Sequence, residues 1–191
     1  MVAAFNVMLD NGGTDGSPGS STNTDPLGPP NMRFKYADDA LIDSNDPIPI
    51  PAAGTKYSKW KSLFLKCTSA PNTQVDNVKF YTDGGSFGTG ITVNVGQQFP
   101  THNSGSTSGY KVATPVDTAI LNNYSGITSV ADAFTYTSGS PLSGPSITEA
   151  GNIINSTNET TNYLILQMEV ISTASPGNLT DETLTLQYDE I

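Results

Sequence analysis

The sequence predicts an all-β fold, an antiparallel β-sandwich of jelly-roll or immunoglobulin type with long extended loops or arms. Three observations predict it. Apolar and polar residues alternate over short runs, Gly, Pro and Asn turns separate those runs, and helix-period stretches are nearly absent. At 191 residues the chain suits one domain over 1–191. Hydrophobic residues are only 36% and charged residues 14%, so a core has to be concentrated in the strands.

The elements follow in chain order. "MRFKY" sets Met32, Phe34 and Tyr36 against Arg33 and Lys35, the pattern of a half-buried strand. "KWKSLFLKC" places Leu63, Leu65 and Cys67 on one face and Trp60 and Phe64 on the other, which suits a central strand and a buried, inert cysteine. "VDNVKFYTDGG" reads as a strand, and "DGGSFGTG" after it as a hairpin turn. "GITVNVG" aligns Ile91, Val93 and Val95 on one face; "YKVAT" and "AFTYT" carry shorter patterns, and "SVADAF" has room for one helical turn. "NYLILQMEVIST" points Leu164, Leu166, Met168 and Val170 one way and Tyr163, Ile165, Gln167, Glu169 and Ile171 the other. After "SPGNLTD", "ETLTLQYDE" turns Leu184, Leu186 and Tyr188 inward, so the last two strands read as an antiparallel hairpin.

Two segments exceed a minimal sandwich. Residues 11–31 form a long Gly/Ser loop whose one apolar anchor is Leu27. Residues 37–55 carry "DPIPIPAAG", where proline at every second position forbids a central strand and favours an extended arm. Loops of this length are usually functional or disordered. Leu27, Pro47, Ile48, Pro49, Ile50 and Pro51 are therefore expected to lie on a neighbouring subunit.

Chemistry is sparse. Eight basic against 18 acidic residues give a net charge of −10, which argues against nucleic acid. Lys56, Lys59, Lys61 and Lys66, beside Tyr57 and Trp60, read as a solvated strand face. His102 and Cys67 are the sole histidine and cysteine, too few for a zinc site or a disulfide. His102 sits in a loop without a nucleophile elbow, where a solvated or hydrogen-bonded role is expected. The terminal Asp189 and Glu190 point to opposite faces of a strand and cannot flank one scissile bond. No catalytic residues and no cofactor are expected. Asp10, Asp15, Asp38 and Asp39, on acidic loops, are the calcium candidates, although neither loop has EF-hand spacing and solvated turns compete with that reading. Tyr57, Trp60, Tyr110, Tyr124 and Tyr136 are the aromatics a carbohydrate-binding or adhesion module would expose. The start, "MVAAFNVMLDNGG", has no charged n-region, so no signal peptide is expected, and no segment has the length of a membrane-spanning helix.

"YLILQMEVISTASPGNLTDETLTLQYDE", with "IPIPAAGTKYSKWKSLFLKCTSAPNTQVDNVKFYTDG", resembles small β-sandwich structural proteins of tailed-phage virions. The points of similarity are a Pro-rich lead-in, a sandwich strand, a "YTDGG" turn and a last strand ending in "QYDE". The resemblance implies a non-enzymatic virion protein made in the host cytoplasm. A capsid decoration or accessory protein bound to the assembled lattice is the first reading, and a neck, tail or fibre component the alternative. It implies the major capsid protein or other virion subunits as partners, with the chain homo-oligomeric or lattice-bound, and neither nucleic acid nor membrane.

Overall fold

Alternating side chains give each strand two usable faces, and this chain uses both. A computed structural model describes residues 2–24, 32–98, 102–113 and 126–191. Ten strands follow in order: β1 (Ala4–Asn11), β2 (Ser20–Asn23), β3 (Thr55–Tyr57), β4 (Lys61–Ser69), β5 (Val75–Thr82), β6 (Ile91–Gln98), β7 (Ile127–Asp132), β8 (Leu142–Ser143), β9 (Leu164–Ile171) and β10 (Leu184–Glu190). The larger sheet runs β2-β1-β4-β9-β6-β7, with β3 also on β9, and the smaller runs β10-β5-β8. Antiparallel pairing throughout and the packing of the two sheets make this the expected all-β sandwich.

β9 organises the larger sheet. β6 covers one edge along its length, while β4 and β3 share the other. Between Tyr57↔Glu169 and Lys61↔Leu166, three residues face two, which is a bulge. Ser58 satisfies it. Its N–H donates to the Met168 carbonyl at 2.8 Å, its hydroxyl accepts from Met168 N at 3.0 Å, and its carbonyl accepts from Gln167 Nε2 at 2.8 Å. At the β6–β7 pairing another shift falls at Gly96, where a Cβ would lie 2.7 Å from the Ile127 side chain.

The core divides by face. Leu164, Leu166, Met168 and Val170 join Leu63, Val93 and Val95 on the inner face, opposite Phe80 and Leu142 of the smaller sheet. Trp60, Phe64, Tyr163 and Ile165 form the outer face, which Tyr110 and Ala113 cover as a third layer. Leu65 and Cys67 reach a cluster at one end of the sandwich with Val75, Val78, Ile147 and Ile154. The alternation read in β4, β6 and β9 is therefore correct residue by residue.

Several local expectations are corrected. β9 and β10 are not a hairpin: β10 pairs with β5, so residues 172–183 cross from one sheet to the other. "DGGSFGTG" likewise links β5 to β6 across the sheets. "MRFKY" is not a strand. Met32 and Phe34 do pack against the core, but the Lys35 side chain turns inward and Tyr36 is partly exposed. The candidate helical turn at Ser129–Phe134 is mostly β7, followed by a 3-10 turn at Ala133–Thr135 that also replaces the "AFTYT" strand. The described part of "YKVAT" forms no strand. β1, which the sequence reading passed over, shows Phe5, Val7 and Leu9 in alternation.

The 11–31 loop is partly a hairpin, since Ser20–Asn23 pairs with β1. At its tip Gly13 has φ +73°, and a Cβ there would lie 2.2 Å from the Ser17 carbonyl oxygen. Gly16 N donates to the Tyr110 carbonyl at 2.8 Å and Lys111 Nζ to Asp15 at 2.9 Å. The chain's own third layer contacts this tip.

Candidate functional site

A cavity of about 1000 Å³ is lined by residues of both sheets. Met32, Phe34, Phe87, Leu164, Met168 and Leu184 line it, so its walls come from both sheets and from the segment before the arm. Native interiors leave few voids larger than a water molecule. A space of this size is of the class that takes ligands or partner side chains.

The Pro-rich arm forms its rim. Pro47, Ile48 and Ile50 line the cavity, Ile48 half-buried and Ile50 38% exposed. Pro49 is exposed and Pro51 is buried, and Leu27 lies outside the described residues. Ile48 and Pro51 thus pack on their own domain, while Pro47, Pro49 and Ile50 keep surface available. Ile42, at 50% exposure, joins the rim, and Leu41 beside it is 60% exposed.

Buried lysines lock the loop before the arm. Lys35, with a side chain only 1% exposed, reaches Asp43 at 2.9 Å and Asp39 at 3.1 Å. Burial alone would lower the ammonium pKa, but the hydrogen bonds from Asp43 and Asp39 outweigh it and hold the pKa above 10.5. Lys61, also buried, donates to the Asp39 carbonyl at 2.7 Å, and its own pKa is lowered by burial. Asp39 Oδ1 accepts from Leu41 N at 2.9 Å, Asp38 Oδ2 from Gly12 N at 2.8 Å, and the Asp46 carbonyl from Tyr36 N at 2.7 Å. At the end of this loop Leu41 is exposed, while Ile42 beside it lines the cavity.

These contacts place the calcium candidates. Asp39 is engaged by Lys35, Asp15 by Lys111, and Asp38 by Gly12 N. Burial raises the Asp38 pKa, whereas the Lys111 hydrogen bond lowers that of Asp15. Asp10 is buried in β1 and accepts the Tyr163 hydroxyl at 2.6 Å. Among the described residues no three His, Cys, Asp or Glu side chains form a group suited to a metal.

Around Asp10 lies a polar cluster that composition could not reveal. His102 is only 5% exposed, tilted over Phe64 at 4.0 Å and edge-on to Tyr163 at 4.7 Å. Its Nδ1 sits 2.9 Å from the Thr160 hydroxyl and 3.2 Å from the Thr161 carbonyl. Burial lowers the His102 pKa and raises that of Tyr163, where the Asp10 hydrogen bond adds to the effect. The ring is buried in a packed layer, with the Thr160 hydroxyl and the Thr161 carbonyl at Nδ1.

The other sequence candidates disperse. Trp60 and Tyr110 are buried at 2% and 1%, Tyr57 and Tyr136 are half-buried, and Tyr124 lies outside the described residues. Lys61 is buried and Lys59 donates to the Ala113 carbonyl at 3.2 Å, so the lysine cluster is not the solvated face its spacing suggested. Glu190 accepts from Ala3 N at 2.9 Å and Asp189 faces Lys79 at 3.7 Å, on opposite sides of β10. No helix among the described residues is long and apolar enough to cross a membrane. In comparisons with known proteins, the chain matches no family model, no curated protein and no solved structure.

Proposed function

We propose that this chain is a non-enzymatic structural protein of a tailed-phage virion, a decoration or accessory protein that binds the assembled capsid lattice. The observation that carries the reading is the cavity whose lining combines Pro47, Ile48 and Ile50 with the polar side chains Arg33, Asp181 and Glu182. It offers a preformed hole and a stiff arm to a neighbouring subunit, the major capsid protein or another virion component, and proline restricts the arm before it docks. The phage-like style of the arm and of the last two strands supports the virion setting, in which a neck, tail or fibre position remains the alternative within the class. A glycan-binding reading is less well supported, because the layer that buries Trp60 and Tyr110 removes the platform such a module needs.

The test is co-sedimentation with purified expanded capsids. Wild-type protein should pellet with the particles. Ile50→Asp, on the exposed part of the rim, should lose about tenfold or more in affinity, as central apolar contacts do, with an unchanged melting temperature. Wild-type protein that ignores capsids but binds a glycan panel would overturn the reading.

A further inference from the structure

The layer over the outer face of the larger sheet begins with a segment that no strand pairing holds in place. Among the described residues, the backbone-to-backbone hydrogen bonds of 102–106 stay within the segment, Asn103 and Ser106 each donating to the other's carbonyl at 3.0 Å. Side chains join it to the rest. His102 N donates to Asn162 Oδ1 at 2.9 Å, Ser104 N to Glu149 Oε1 at 2.6 Å, and the Thr148 hydroxyl to the His102 carbonyl at 2.7 Å. The His102 ring is buried beneath, its centroid 4.0 Å from that of Phe64 and 4.7 Å from that of Tyr163. We propose that residues 102–106 are an acid-sensitive latch, which protonation of His102 opens from the outer face while the two sheets stay packed.

The surroundings of the ring support this. β1 presents the Asp10 carboxylate, the turn at Ala150–Asn152 is preceded by the Glu149 carboxylate, and β4 offers the uncharged Phe64. Tyr163, just before β9, lies against the ring, with Tyr110 of the same layer behind it. Burial holds the ring pKa below 6.5, outweighing Asp10, the Thr161 carbonyl and Glu149, which favour the imidazolium. Both polar contacts of the ring fall on Nδ1, so an imidazolium would carry its Nε2 proton without a partner among the described residues. Opening returns the ring to water, where it binds a proton at its ordinary affinity, and a falling pH therefore favours the open segment. The sandwich interior gives acid no comparable handle, since the buried cluster between the sheets contains no His, Asp or Glu. A segment tied by a few side-chain bonds also opens at lower free energy than a paired strand.

Residue-resolved hydrogen exchange of the full chain, corrected for the intrinsic rate at each pH, tests this. The His102 and Ser104 amides report on the latch and those of β9 on the core. Protection at His102 and Ser104 should lie about tenfold or more below that of β9, because the segment opens without the sheets. From about pH 7.5 to about pH 5.5 it should fall about threefold or more. The fall should vanish in His102→Asn and persist in Glu149→Gln, which keeps an acceptor for Ser104 N. Latch amides that are protected as strongly as β9, or whose protection is the same at both pH values, overturn the proposal. So does a fall that survives in His102→Asn or disappears in Glu149→Gln, either of which puts the proton on another group.

Discussion

Lys35 shows how one side chain can overrule a local pattern. Met32 and Phe34 follow the alternation and pack on the core, but Lys35 is buried as well, its ammonium paired with Asp39 and Asp43. A strand pattern encodes which side chains are apolar; it cannot show that a cation has found two carboxylates in the next loop. Hydrogen bonds to charged groups contribute about 1.5–3 kcal/mol each, and less where the partners are solvated. Both carboxylates are about one-third exposed, at 32% and 37%. Lys35→Ala should therefore cost about 1–2 kcal/mol in a denaturant titration. His102 makes a second residue-scale prediction. Burial holds its pKa below the ordinary 6.5. Between that lowered value and 6.5 the unfolded chain binds more protons than the folded one, so stability rises with pH across this window. It is complete above 6.5 and is lost as the pH falls through the window. His102→Asn, which keeps an acceptor near the Thr160 hydroxyl, should flatten the wild-type slope of melting temperature against pH there. An unchanged slope would place the proton uptake elsewhere. Cys67 is fully buried and its thiol pKa is pushed up by burial, so a thiol reagent should label it only on unfolding.

At the scale of elements, legibility follows the number of apolar residues a strand contributes. β4, β6, β9 and β10 carry clear alternation and were readable from the sequence, down to the division of β9 between inner and outer faces, whereas β5 breaks the alternation at Asn77. β2 is "SSTN", wholly exposed, and contains no pattern to read; its strand state comes from pairing with β1. β3 and β8 are three and two residues long and exist only as partners of β9 and β5. β1 did carry a readable signal, Phe5, Val7 and Leu9. The register gives a direct test. Leu166, with no exposed surface, should cost about 2–5 kcal/mol on truncation to Ala, and half-buried Leu186 should fall at the lower end. Thr185→Ala should stay within about 0.5 kcal/mol. Equal losses in all three variants would contradict the face assignment in β9 and β10.

The arrangement of the whole molecule was the least legible scale. Alternation tells a strand which face to bury but not which strand to pair with. The last two strands look like a hairpin by proximity, yet one closes the smaller sheet on β5 while the other forms the centre of the larger. The 102–113 layer was legible only as the short "YKVAT" pattern, since its apolar members Tyr110, Val112 and Ala113 form no strand and find their burial against β4 and β9. The arm is legible as a candidate contact from Pro47 to Pro51, but the cavity behind it is not, because its walls come from segments far apart in the sequence. That cavity is the centre of the functional account. Cryo-electron microscopy of capsids saturated with wild-type protein tests it most directly. The mouth of the cavity, lined by Ile42, Pro47 and Ile50, should be closed against a neighbouring subunit of the lattice. A decorated particle in which this mouth faces solvent while another surface makes the contact would contradict it.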